Sequence, residues 1–170
     1  MSGFVVAIIL IAGLGVVLYN RLVASRQRVF TAWSDIDVQL KRRHDLIPNL
    51  VEAVKQYAGY ERAVLTTVVE LRARSEALTA VADKAEVEKN LGRGIHKLLA
   101  LAEAYPDIKA NQNFLQLQKD LIEVEDNIQY ARRYYNGAVK TLNIRVESFP
   151  DNLVAKLFGF RPADYFEMEE

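Results

Sequence analysis

Two histidines, His44 and His96, are the only imidazoles in a 170-residue chain that has no cysteine. Acid–base, nucleophilic or metal chemistry would therefore have to be built around them, around carboxylates or around serine hydroxyls. A di-metal site in a helical bundle needs inward-facing glutamates and Glu-x-x-His pairs on facing helices. Lys41 and Arg93 stand where that motif requires Glu, so no metal centre is expected. His44, inside Lys41-Arg42-Arg43-His44-Asp45, reads as a surface or kink-capping histidine. Ser25, Ser34, Ser75 and Ser148 fall on helical patterns or at a helix end, without the sharp turn and oxyanion glycines of a nucleophile elbow. Gly92-Arg93-Gly94 has no strand before it and no lysine–serine motif, unlike a phosphate-binding loop. Asp35 and Asp37, like Glu123 and Glu125, are two apart and point to different sides of a helix. No catalytic residue, metal ligand, cofactor or small-molecule substrate is assigned, and no enzymatic activity is expected.

Charge leads in the same direction. Lys and Arg total 22, as do Asp and Glu, so there is no general electrostatic pull toward nucleic acid, and no nucleic-acid partner is expected. Lys41-Arg42-Arg43 is the densest basic cluster. About 20 residues of helix, or ~30 Å, separate it from the end of the apolar N-terminal run, well beyond a Debye length of about 8–10 Å. It reads as a salt-bridged surface with Asp35, Asp37 and Asp45 nearby. Arg43 differs from its neighbours because it falls on an apolar seam. Either an acid from another helix pairs with it inside the bundle, or the seam opens there and Arg43 marks a partner surface.

The elements that would hold these residues begin with a run free of charge from Gly3 to Tyr19, GFVVAIILIAGLGVVLY. Seventeen helical residues reach about 25 Å, slightly short of a hydrocarbon core of ~30 Å, and Leu22 and Val23 extend the span if Arg21 snorkels. A cleaved signal peptide is the competing interpretation. It normally has a basic leading segment and a small-x-small cleavage site, and neither flanks this run. Residues 3–19 are therefore expected to enter the lipid bilayer as a retained anchor. Arg21, Arg26 and Arg28 follow the run and no Lys or Arg precedes it, which places the N-terminus outside and the remainder in the cytoplasm of the cell.

Helical periodicity then continues to about residue 145. Ala110, Phe114, Leu117, Leu121, Val124, Ile128, Ala131, Tyr135, Ala138 and Leu142 alternate steps of four and three, the stripe of one long amphipathic helix. Asn113 and Gln116 suggest its start. Another seam runs from Leu22 through Val29, Ile36, Leu40, Ile47, Leu50, Val54 and on to Leu78, with Arg26, Arg43, Glu61 and Ser75 as polar interruptions. Pro48 would kink this helix or start a new one capped by Asp45, while Gly59 is the preferred break. Asp83 and Glu86 resemble a capping box for a helix with a seam of Val87, Leu91, Gly94, Leu98 and Leu101, where the glycines suggest close helix approach. Four helices of about 38, 20, 20 and 35 residues make an all-α, antiparallel up-and-down four-helix bundle behind the transmembrane helix. The expected division is an anchor over residues 1–20, a bundle over 21–148 and an aromatic tail over 149–170.

If the bundle is antiparallel, its last helix returns toward the membrane and delivers that tail there. Asp151 to Phe158 forms a short amphipathic helix closed by Gly159. The favoured expectation is that the tail caps the bundle base and buries Phe149, Leu153, Leu157 and Phe158. In the alternative its aromatics, with Phe158, Phe160 and Phe166 as candidate contacts, dip into the membrane interface or seat a partner.

Several strings are specific in combination: AWSDIDVQLKRRHDLIPNLVEAVKQYA from Ala32 to Ala58, Tyr105-Pro106-Asp107 followed by KANQNFLQLQ, ARRYYN from Ala131 to Asn136, and FPDNLVAKLFGF ending in YFE. In order and over nearly the whole chain, they resemble the LemA family. The resemblance implies one N-terminal transmembrane helix, a short extracytoplasmic N-terminus and a helical-bundle domain. It supplies no catalytic role to carry over. The function this implies is a non-enzymatic scaffold or adaptor for membrane-protein partners. The alternative is self-association into a membrane-surface oligomer, packed through the polar seam positions, that organises or shapes the membrane. An enzyme of unrecognised type would have to depend on His44 or His96.

Overall fold

The computed structural model describes residues 2–55 and 62–168. Among them the secondary structure is helical and no strand occurs. The helices are α1 (Ser2–Lys55), α2 (Arg62–Ala77), α3 (Val81–Glu103), α4 (Pro106–Lys109), α5 (Gln112–Glu147) and α6 (Asp151–Phe158). α1 is long and apolar enough over its first part to cross a membrane. It also runs without interruption through Pro48, which excludes a new helix capped by Asp45. Pro48 is exposed, so its ring clears the core, and the carbonyl of His44 loses its usual intrahelical donor there. The preferred break at Gly59 lies outside the described residues.

Helix starts follow local chemistry. Asn111 Oδ1 accepts the backbone N–H groups of Asn113 at 2.9 Å and Phe114 at 3.3 Å, so the cap of α5 is Asn111 rather than Asn113. α3 begins at Val81 after Ala80, with no side-chain cap; Asp83 sits inside the first turn, where its charge favours the N-terminal dipole. Pro106 opens α4, where a missing N–H costs nothing. Gly159 closes α6 with φ of 71°, a left-handed backbone that glycine adopts without strain.

The chain divides into two compact units. One comprises the described residues of Met1–Asp35 with Arg133–Tyr165. Its core includes Leu22, Ala155 and Phe160, with Tyr19, Val23, Val146 and Val154 against them. The Trp33 and Tyr135 rings pack with centroids 5.4 Å apart, and the Tyr135 hydroxyl donates to the Asp164 carbonyl at 2.9 Å. Asn143 grips Ala163 twice, donating to its carbonyl at 3.0 Å and accepting its N–H at 2.8 Å. Burial of Tyr135, with Asp164 nearby, pushes its phenol up to about 12. One position of the α5 stripe shifts here: Tyr135 and Leu142 are buried as expected, but Val139 is buried between them and Ala138 only half-buried.

The other unit comprises Ile36–Arg132 with the described residues of Phe166–Glu170. Ile47, Leu50 and Val54 of α1, Leu65 and Val68 of α2, Leu91, Ile95 and Leu98 of α3, and Phe114, Leu117 and Leu121 of α5 form one apolar core. α2 and α3 approach closely at Gly94, where an added Cβ would lie 2.7 Å from Val68 Cγ2. Valine is stiff at χ1 and cannot swing its methyl aside. Gly94→Ala is accordingly expected to lose about 1–3 kcal/mol through overpacking, despite the better helix propensity of alanine. Urea denaturation monitored by far-UV circular dichroism checks this.

Candidate functional site

The densest polar chemistry lies within the second unit, on helix faces that are otherwise apolar. Arg43 follows Ile36 and Leu40 and precedes Ile47 and Leu50 along the buried stripe of α1, so its guanidinium enters the core and is 1% exposed. Glu88 enters from α3 and is fully buried. Arg43 Nη1 donates to Glu88 Oε2 at 2.9 Å, and to the Glu88 backbone carbonyl at 3.4 Å. Arg43 Nη2 donates to Glu125 of α5. The other carboxylate oxygen of Glu88, Oε1, lies 2.6 Å from His44 Nε2 and accepts the Ser75 hydroxyl of α2. A carboxylate oxygen only accepts, so His44 Nε2 carries the proton in that bond. Gly92 borders the guanidinium, whose terminal nitrogens lie 3.9 Å from where a Cβ would stand, an ordinary contact.

Five side chains from four helices thus complete one another's hydrogen bonding. Burial alone would push the Glu88 carboxyl up; the His44 hydrogen bond, the Arg43 charge and the Ser75 hydroxyl outweigh it and hold the group below its ordinary 4.5. The consequence for stability has a definite sign. A carboxylate with a depressed native pKa stabilises the fold fully above its unfolded value and loses that contribution as pH falls through the native one. Thermal stability should therefore hold down to about pH 4.5 and then decline, with a shallower decline in Glu88→Gln. Calorimetric melts of both proteins across pH 7 to 3 check this.

The cluster is suited to locking helices together. Its buried groups are already mutually bonded, and among the described residues no set of three or more His, Cys, Asp or Glu is placed to hold a metal ion. His96 lies apart from His44, exposed in an open groove of about 300 Å³ with Lys89, Arg93, Gln129 and Arg132.

Several expectations change. Arg43 is inside and paired with cross-helix acids, so it offers no partner surface. His44 is buried, neither a surface residue nor a cap. The basic cluster does not pair with Asp35 or Asp45: Arg42 meets Glu123 of α5 at 3.0 Å, Arg43 meets Glu88 and Glu125, and Asp37 pairs instead with Lys84 of α3 at 3.4 Å. Glu123 and Glu125 do point to different sides, each receiving one of the two adjacent arginines. Phe160 and Phe166 are buried, while Phe158 is exposed. Phe149, Leu153 and Leu157, expected in the base of the bundle, are exposed as well. The residue that sequence reasoning missed is Glu88. Its signal was present, because Glu88, Leu91, Ile95, Leu98 and Ala102 step by three and four and are all buried.

The family model for LemA matches residues 32–170. The chain belongs to the LemA family. The match begins at Ala32 and takes in the whole ion cluster of this LemA-family chain. Its relatives include the magnetosome protein MamQ 2 of Paramagnetospirillum magneticum, 26% identical over 175 residues that cover 88% of this chain and 64% of the relative. MamQ of Magnetospirillum gryphiswaldense is 22% identical, with 87% and 64% covered. Protein LemA of Metamycoplasma hominis is 24% identical, with 89% and 69% covered. The chain spans 64% of the length of these MamQ relatives.

Proposed function

We propose that this LemA-family chain is a single-pass, membrane-anchored helical bundle that acts as a non-enzymatic scaffold or adaptor for membrane-associated protein partners. The observation that carries the reading is the exposed run of large apolar side chains on α1, Phe4, Val5, Val6, Ile8, Ile9, Leu10, Ile11, Leu14, Val16 and Val17. Water would not tolerate so continuous an apolar surface, and a bilayer would cover it. The same helix then supplies Arg43 and His44 to a cluster whose polar groups bond to one another rather than to a ligand. In this reading residues 1–20 are the anchor, 21–148 an up-and-down bundle and 149–170 the tail. The arginines after the run support an N-terminus outside and a bundle in the cytoplasm. The names of the MamQ relatives tie those proteins to magnetosomes and state no reaction.

Self-association is the competing arrangement. Two of the seam positions that suggested it, Arg43 and Ser75, are satisfied within the chain, which removes much of its basis. Crosslinking of the full chain in its native membrane, followed by mass identification, separates the two. A stoichiometric foreign membrane protein is the expected product. Crosslinks only between copies would replace the adaptor with a self-assembling membrane scaffold, and a product-free reaction at saturating reagent would overturn both.

A further inference from the structure

α6 is amphipathic in an unusual sense, because it turns Ala155 and Val154 toward the protein while Leu153, Leu157 and Phe158 are exposed. Ala155 is fully buried against Leu22 and Phe160. Leu153 is 59% exposed and Leu157, one turn on, 78%. Phe149, in the turn that leads into α6, is 79% exposed, and Phe158 57%. Residues four apart share a helix face, so Leu153 and Leu157 form an outward apolar ridge, and the exposed Phe149 stands in the turn that leads into the helix. A water-facing helix would reverse this pattern.

Where the ridge stands is set by ring contacts within the same unit. The Phe158 ring packs on Tyr19 with centroids 4.8 Å apart, and Phe160 meets the same Tyr19 at 5.8 Å. Tyr19 is the last residue of the uncharged run. The Arg26 guanidinium lies 4.9 Å over the Phe160 ring, and Arg145 pairs with Asp151 at 3.3 Å. α6 is thereby held beside the end of the apolar segment, and its one acidic side chain is paired. Lys156 and Arg161 are exposed beside the ridge. An apolar ridge continuous with a bilayer-spanning surface and flanked by cations matches a helix lying in the headgroup region of the membrane.

We infer that α6 is a second membrane contact: it lies in the bilayer interface with Phe149, Leu153 and Leu157 turned into the acyl boundary and Lys156 at the headgroups. This rests on the membrane anchor proposed above, and the test separates the two. Because the chain has no cysteine, single spin labels can be placed through Phe149→Cys, Leu153→Cys, Lys156→Cys, Leu157→Cys and, in the anchor, Ile9→Cys. The full chain is reconstituted in vesicles of phosphatidylethanolamine and phosphatidylglycerol, and collision with oxygen is compared with collision with a water-soluble nickel chelate. Labels at 149, 153 and 157 are expected to favour oxygen several-fold, as at residue 9, while the label at 156 favours the chelate. A label at 157 that favours the chelate while residue 9 remains in lipid overturns the inference and leaves the anchor standing. Chelate access at residue 9 as well overturns both. Shielding of 149, 153 and 157 from both reagents would mean that protein covers the ridge, and would equally overturn the inference.

Discussion

Glu88→Ala is expected to destabilise the protein by about 3–5 kcal/mol, the range for breaking a buried ion pair from one side. The substitution removes the acceptor of Arg43 Nη1, His44 Nε2 and Ser75 Oγ at once. Arg43 retains Glu125, whose side chain is 28% exposed, and the Glu88 backbone carbonyl at 3.4 Å, yet its Nη1 loses its charged acceptor and stands beside a cavity in the core. The loss then comes from a buried cation left under-compensated, together with the unpaired His44 and Ser75 donors, more than from the forfeited attraction itself. Changing both partners tests that account. Arg43→Met combined with Glu88→Leu restores apolar packing where two charges met, and the double variant should be more stable than Glu88→Ala alone. Urea denaturation of the full chain in detergent micelles, followed by far-UV circular dichroism, gives all the values needed for the comparison.

Phe166→Ala is expected to lose a comparable amount, about 3–5 kcal/mol, by leaving a cavity where a large ring had no solvent contact. Phe166 is 0% exposed although only four residues follow it in the sequence. Two residues on, the carbonyl of Met168 accepts a hydrogen bond from Arg132 Nη1 at 2.6 Å, so this part of the tail is built into its unit by both packing and polar contact. Leu157→Gln provides the contrast. That side chain is already exposed, so in micelles the change should stay within about 0.5 kcal/mol. A large loss in Leu157→Gln, with little in Phe166→Ala, would reverse the assignment of the two residues to surface and core.

The tail shows where periodicity stops being informative. Its spacing correctly marked an amphipathic helix from Asp151 to Phe158 and a glycine stop at Gly159. The same spacing is produced whether the apolar ridge meets protein or lipid, and the favoured expectation chose protein. Only the position of Ala155 against Leu22 shows which face is turned inward. The ion cluster was half legible for a related reason. A buried arginine requires an acid, and Arg43 on an apolar seam announced that need. Its partner was hidden because two overlapping stripes can be drawn on α3, one starting at Val87 and the other at Glu88, and both residues prove to be buried. An apolar count favours the first; only the need to neutralise Arg43 favours the second. On α5 the stripe held from Phe114 to Tyr135 and again at Leu142, with Val139 buried in place of Ala138, a local departure from strict alternation of four and three.

The packing of Trp33 on Tyr135 has an optical consequence. Trp33 is the single tryptophan in the chain, so its indole emission comes from one junction, where the Tyr135 hydroxyl also holds the backbone at Asp164. Whatever detaches that tail segment alters the surroundings of the only long-wavelength fluorophore. The protein therefore carries its own native reporter, and in the purified chain reconstituted in vesicles the state of the Asp164 contact can be followed by emission wavelength, with no dye attached.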